Sequence, residues 1–81
     1  MLLYPNPTKG SINFIFPEDV NEKINVSIYA LEGKKISEMS IQPDLLPNRQ
    51  HTLNTELYPT GIYFAKFMSK DKVLTHKFSK E

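Results

Sequence analysis

The chain has 81 residues and a formal net charge of +1. A chain of this length has room for one small domain, which hides only about two-thirds of the surface that the unfolded chain exposes. Hydrophobic residues make up 40% of the sequence, which predicts a folded core, while the near-neutral charge argues against a nucleic-acid-binding protein. The absence of cysteine excludes disulfides, thiolate zinc sites and cysteine nucleophiles, and no apolar run approaches the roughly 20 residues that span a bilayer.

The chain opens with a proline-rich segment, which is followed by two segments that alternate with the period of a β-strand. Residues 4–10 hold two prolines and end in Gly10, which is free to take a positive φ, a composition typical of a stiff turn. In residues 11–16 and 24–29 apolar side chains recur at every second position, which predicts two strands with one buried face each. The predicted buried faces consist of Ile12, Phe14 and Phe16 in the first segment and of Ile24, Val26 and Ile28 in the second.

A hairpin is predicted in the middle of the chain. Residues 30–33 end in Gly33 and form a short link, after which residues 34–41 return as the partner strand. The alternation slips between Ile36 and Met39, and one extra residue there would move the later side chains to the opposite face. We therefore predict a bulge or an early strand end near Ser37 and Glu38.

The second half of the chain predicts a surface loop and three further strands. Prolines in residues 42–50 favour a loop, from which Leu45 and Leu46 return to the core. The predicted strands are residues 51–55, 62–68 and 72–78, with a turn at residues 57–61. Both faces of the strand at residues 62–68 are largely apolar, which predicts a central strand covered on both sides, with Lys66 near an end or reaching out to solvent.

These segments together predict the fold class. Six to seven short strands are separated by Pro, Gly and Asn, and no segment has a helical period. This pattern predicts an all-β fold, a small antiparallel β-sandwich of immunoglobulin-like architecture. Residues 1–81 are predicted to form a single domain.

The sequence contains no arrangement of residues that favours catalysis or cofactor binding. His51 and His76 lie in separate predicted strands without metal-ligand spacing, and Asp19, Asn21 and Glu22 lack the full ligand series of a calcium loop. No serine has the glycine spacing of a nucleophile elbow, and no glycine loop for phosphate is present. We therefore predict a module that is not an enzyme and that uses no metal or other cofactor.

Four short motifs occur in order along the chain. They are Tyr4-Pro5-Asn6-Pro7 with Gly10, Val26-x-Ile28-Tyr29 followed by Gly33-Lys34-x-Ile36, Leu57 followed by Gly61-Ile62-Tyr63, and a last strand that bears Lys72 and Lys77. In this order and spacing, nearly the whole chain resembles the type A C-terminal sorting domain of the type IX secretion system, which is found on cargo proteins of Bacteroidota.

The resemblance implies that the chain is a non-catalytic secretion and sorting signal, excised from a longer secreted protein. Such domains follow a covalently linked N-terminal cargo, which crosses the inner membrane with its own signal peptide. Components of the outer-membrane type IX translocon then recognise the folded domain in the periplasm. A sortase-like peptidase removes it from some cargoes, which remain at the cell surface or are secreted. The expected partners include no nucleic acid, and the module is not expected to span a membrane.

The resemblance also assigns recognition candidates and shows three departures from the family's pattern. The candidates are Pro5, Asn6, Pro7, Gly10, Gly33, Lys34, Gly61, Tyr63, Lys72 and Lys77. Family members commonly have Asp or Asn after the tyrosine of the middle strand, where this chain has Ala30. The loop at residues 42–50 is not a family hallmark, and Glu81 stands where a terminal Lys is expected.

The basic last segment, residues 66–81, suggests how another protein binds the module. Residues 66–81 carry five Lys against two acidic residues, an excess that a solvated strand face protecting a sheet edge would explain. A second hypothesis is that the last strand pairs with a receptor strand, while four lysines steer it toward an acidic surface. These lysines are Lys70, Lys72, Lys77 and Lys80.

An alternative function is a carbohydrate-binding or fibronectin-like accessory module of a secreted enzyme. A module of that kind would hold a catalytic neighbour on its substrate. It predicts a coplanar row of exposed aromatic side chains on one sheet face. The position of the tyrosines and phenylalanines in the folded chain therefore discriminates between the two functions.

Overall fold

A computed structural model describes all residues, 1–81, and folds them into two antiparallel β-sheets packed face to face. The strands are β1 (Leu2–Tyr4), β2 (Ser11–Ile15), β3 (Ile24–Ala30), β4 (Lys35–Ile41), β5 (Gln50–Asn54), β6 (Gly61–Met68) and β7 (Val73–Lys80). The three-stranded sheet has the order β1-β2-β5, and the four-stranded sheet has the order β4-β3-β6-β7. The predicted all-β sandwich is confirmed.

The core lies between the sheets and is built by the alternation that the sequence displays. Successive side chains of a strand point to opposite faces, so the apolar positions of each strand meet those of the facing sheet. All six residues predicted to be buried in segments 11–16 and 24–29 are at most 5% exposed. The core is completed by Ile41, Tyr63, Ala65, Phe67 and Phe78.

The hairpin between β3 and β4 is confirmed, with a bulge one residue before the predicted position. Tyr29 pairs with Lys35 and Ile28 pairs with Ser37, so Ile36 is the extra residue. The strand does not end early, because the pairing continues to Ile41. The bulge restores the inward direction of the following alternate positions and leaves Ile36 exposed.

Strand β6 is central, as predicted, but the predicted cover on both faces is wrong. It pairs with β3 on one side and β7 on the other. Tyr63, Ala65 and Phe67 face the core, whereas Phe64 and Lys66 lie on the opposite face, where no second layer packs. Lys66 lies on this outer face, two residues before the last residue of β6.

The connection between β4 and β5 contains two single turns of 3-10 helix, Pro43–Leu45 and Pro47–Arg49. Neither turn is long or apolar enough to cross a lipid bilayer. The prediction for its two leucines is half right, because Leu46 packs against the core and Leu45 is 77% exposed. Leu46 has an extended backbone, in which adjacent side chains point in opposite directions, so Leu45 and Leu46 cannot both face the core. Pro43 is the other residue of this connection that is buried.

Candidate functional site

Most recognition candidates lie together at one end of the sandwich, which we call the motif end. It consists of the opening segment 5–10, the β3–β4 turn 31–34, the turn 56–60, and the adjoining ends of β6 and β7. The register explains the convergence, because Gly61 at the start of β6 pairs with Lys80 at the end of β7, and Ala30 pairs with Tyr63. Motifs far apart in the sequence therefore share one surface.

Asn6 ties the opening segment to the edge of β7. Its side-chain amide donates to the carbonyl oxygen of Lys77 at 3.2 Å, and its side-chain oxygen accepts from the backbone N–H of Ser79 at 3.0 Å. In a sheet, the backbone of a neighbouring strand would bond to the same Lys77 carbonyl and Ser79 N–H with one donor and one acceptor. The Asn6 side chain therefore substitutes for a strand at this position.

The backbone of Thr8 extends the same contact to the last residue. The Thr8 N–H donates to the carbonyl of Ser79 at 2.9 Å, and the Glu81 N–H donates to the carbonyl of Thr8 at 2.8 Å, which makes a parallel bridge. Thr8 is fully buried, and its hydroxyl donates to the carbonyl of Ser11. Asn6 and Thr8 together cover the outer edge of residues 77–81.

This contact corrects the hypothesis that the whole last strand offers an open edge. The N–H and carbonyl of Ser79 point away from β6 and are bonded to the opening segment. Because backbone groups of a strand alternate in direction, those of Val73, Thr75 and Lys77 also point away from β6. Only the first half of the edge is therefore free for strand addition. Lys80 is 8% exposed, so its assignment to charge steering was wrong.

Tyr63 anchors the motif end from the inside. Its ring stacks on Phe78 with centroids 5.6 Å apart and meets Tyr58 at 5.2 Å. The Tyr63 hydroxyl donates to the carbonyl of Pro59, and the Lys80 ammonium donates to the carbonyl of Tyr58 at 3.1 Å. The turn before β6 is thus fixed both to its own strand and to the end of β7.

The β3–β4 turn forms the outer rim of the motif end. Gly33 has a φ of +97°, a conformation that side chains with a Cβ rarely adopt, and its N–H donates to the carbonyl of Ala30 at 2.9 Å. Lys34 follows and is exposed. A shallow cleft of about 530 Å³ separates this turn from the turn before β6, and Lys34, Gly61 and Tyr63 line it.

Two candidates differ from expectation in conformation or place. Gly10 does not have a positive φ, and its carbonyl accepts from the N–H of Thr55 at 2.9 Å, which joins the opening segment to the end of β5. Lys72 lies at the opposite end of the sandwich, beside a cleft of about 320 Å³ that Met1, Phe16 and Leu74 also line. The structure therefore separates Lys72 from the other recognition candidates.

The histidines pack against aromatic rings at the margin of the core. His51 stacks on Phe14 with centroids 5.9 Å apart, and His76 meets Phe67 edge-on at 6.0 Å. Burial lowers the pKa of His51 below its usual value. Burial, and secondly the positive N-terminus, lower the pKa of His76. Both rings consequently favour the neutral state in the fold.

Sequence reasoning missed Arg49, which fixes the connection between β2 and β3. Its guanidinium donates to the carbonyls of Pro17 at 3.0 Å, Phe16 at 3.3 Å and Val20. It also donates to the side-chain oxygen of Asn21, one of the three residues weighed as calcium ligands. A lone Arg in a polar loop gives no local signal for these contacts, because its partners are about 30 residues away.

Sequence reasoning also missed the burial of Thr8 and Lys80. Lys80 had a usable signal, since it lies two residues after the buried Phe78 and therefore on the same face of the strand. Thr8 had none, because its burial depends on the opening segment crossing to the edge of β7. Both residues belong to the motif end.

Comparison with known proteins assigns the family. A family model described as the secretion system C-terminal sorting domain matches residues 2–81. No curated protein matches the chain. Members of this family are sorting signals for type IX secretion and are generally non-catalytic, and they direct export across the outer membrane toward the cell surface or the medium. Since the match covers the whole fold, the chain belongs to the family of secretion system C-terminal sorting domains.

Proposed function

We propose that residues 1–81 form the C-terminal sorting domain of a longer secreted protein and that the translocon recognises it as a folded module in the periplasm. The family match to residues 2–81 is the observation that carries this proposal. In this proposal the covalently linked N-terminal cargo precedes Met1. A sortase-like peptidase removes the domain once the cargo is outside the cell.

The proposed recognition surface is the motif end. The convergence of the opening segment, the β3–β4 turn and the turn before β6 supports it, because one partner could contact all three at once. Leu31 and Leu57, which are 62% and 97% exposed, lie in these turns and are available for contact. Met1 lies beside the cleft near Lys72, so the cargo would leave the motif end unobstructed.

The distribution of aromatic side chains gives little support to a carbohydrate-binding module. Tyr4, which is 42% exposed, is the one tyrosine or phenylalanine on the open surface, and the others are half-buried or buried. Most of the others fill the core or stack within the motif end. Tyr29 and Phe64 are half-buried neighbours on the outer face of the four-stranded sheet, without a third ring beside them.

The proposal is tested by fusing the 81 residues to the C-terminus of a reporter enzyme that carries an N-terminal signal peptide. In a host with the type IX system, reporter activity is expected in the medium or at the cell surface, and the reporter without the module should stay in the periplasm. Loss of the mass of the 81 residues from the exported reporter would report the removal step. Periplasmic retention of the intact fusion would contradict the proposal.

A core variant tests whether the folded module, rather than a linear peptide, is recognised. Phe78→Ala removes a ring that is 1% exposed and is expected to cost about 3–5 kcal/mol, enough to unfold a small domain. Export is therefore expected to be lost. Undiminished export of an unfolded Phe78→Ala module would show that recognition needs only the linear sequence.

A further inference from the structure

The outer face of the four-stranded sheet carries a row of four side chains, one from each strand. Cross-strand pairing places Lys35 beside Tyr29, Tyr29 beside Phe64, and Phe64 beside Lys77. Paired residues share a face, and Ile28, Ala65 and Phe78 next to them in sequence point to the core. Two aromatic side chains are thus flanked by a lysine on each side.

The charge of this outer face is positive and only partly compensated. Glu38 is its one acidic side chain, and Glu38 pairs with Lys35 at 3.4 Å. Lys66 and Lys77 have no carboxylate within salt-bridge distance. Lys66 of β6 is opposite Thr75 of β7, and Lys77 lies two residues after Thr75. Lys66 and Lys77 are therefore diagonal neighbours on this face, with their Cβ atoms roughly 7 Å apart. Two unpaired cations therefore stand beside Phe64.

The outer face carries a partly exposed apolar patch. Tyr29, Ile62 and Phe64 are half-buried, although the second sheet covers only the opposite, inner face. An apolar centre with charged residues around it is the usual anatomy of a protein–protein interface. The charge of its rim favours a partner with carboxylates at the matching positions.

The size of the outer face limits the kind of complex it can form. Four strands about 4.8 Å apart and up to eight residues long span roughly 500 Å². This is less than the ~800 Å² that each partner contributes to a standard stable interface. The face therefore suits a transient contact whose rate of formation is raised by charge.

We propose that the outer sheet face transiently binds an acidic surface of a partner protein, with Tyr29 and Phe64 at the centre and Lys66 and Lys77 paired with the partner's carboxylates. The proposal rests on the register and charge of this face and is independent of the sorting function, although Ile62 and Lys77 also adjoin the motif end. An acidic polysaccharide is the competing ligand, since it offers carboxylates without an apolar protein surface.

A random copolymer of glutamate and tyrosine is a suitable probe, because it presents carboxylates together with aromatic rings. We expect its addition to the isotope-labelled 81-residue chain at low salt to shift NMR amide signals of residues 62–66 and 75–79. Lys66→Glu combined with Lys77→Glu should weaken binding on the order of tenfold or more. Lys70→Glu combined with Lys72→Glu makes the same change of charge in the β6–β7 turn and should alter binding less than threefold.

The proposal is overturned if the two double variants weaken binding equally, because the lysines would then act only as general positive charge. It is also overturned if polygalacturonate binds the same face more tightly than the copolymer, which would indicate a polysaccharide ligand. Circular dichroism would establish that each variant is folded. If the Glu variants do not fold, Lys66→Gln with Lys77→Gln against Lys70→Gln with Lys72→Gln provides the same comparison.

Discussion

Replacing Asn6 with Ala tests whether the opening segment holds the end of β7. The substitution removes both side-chain hydrogen bonds, to the Lys77 carbonyl and from the Ser79 N–H. Each is exposed and should contribute about 0.5–1 kcal/mol, so the free energy of unfolding should fall by about 1–2 kcal/mol. In a domain of this size that corresponds to a decrease in Tm of roughly 5–12 °C.

Urea unfolding followed by circular dichroism measures this loss, and hydrogen exchange locates it. The Ser79 amide should exchange faster in Asn6→Ala, because its acceptor is gone. Asn25→Ala is the matched control, since Asn25 is also exposed and bonds only to the Ser40 hydroxyl. It should lower the free energy of unfolding by about 0.5–1 kcal/mol, because it removes one exposed hydrogen bond and not two, and it should leave exchange at Ser79 unchanged. Equal stability of the two variants, with unchanged exchange at Ser79, would refute the bridging role of Asn6.

Three further predictions concern single interactions. Tyr63→Phe should lower the free energy of unfolding by about 1 kcal/mol in a urea titration, because the hydroxyl no longer donates to the Pro59 carbonyl; no loss would argue against that bond. Arg49→Lys should cost about 1–2 kcal/mol in the same assay, because one ammonium cannot reach the three carbonyls of the β2–β3 connection. Protonation of His51 and His76 is less favourable in the fold than in the unfolded chain, so stability should be full above pH 6.5 and decline as the pH falls below it. His51→Gln with His76→Gln should flatten the dependence of the urea midpoint between pH 7.5 and 5.5, and an unchanged slope would contradict this assignment.

The strands could be predicted because their signal is local. In β2 and β3 every second side chain is apolar, and this period alone selects the buried face. The bulge was predicted from the slip in β4, but its position at Ile36 depends on where the preceding turn closes, at Ala30 and Lys34. Local period therefore gives the faces, whereas turn geometry sets the register.

The motif end could be predicted in composition but not in assembly. The resemblance assigned Asn6 and Tyr63 without indicating that Asn6 would cover the edge of β7. That contact joins residues more than 70 positions apart, so no local pattern contains it. Lys66 shows the converse error, because its apolar neighbours suggested a second covering layer that the sandwich does not have.

The most direct test of the account compares the two ends of the sandwich in the secretion assay. Leu31→Ser with Lys34→Glu changes one exposed leucine and one lysine at the motif end, and Leu74→Ser with Lys72→Glu makes the same changes at the opposite end. With both modules folded, we predict that the first pair sharply lowers the exported fraction of the reporter and that the second leaves it near that of the unmodified fusion. Export that survives the first pair and fails with the second would contradict recognition at the motif end.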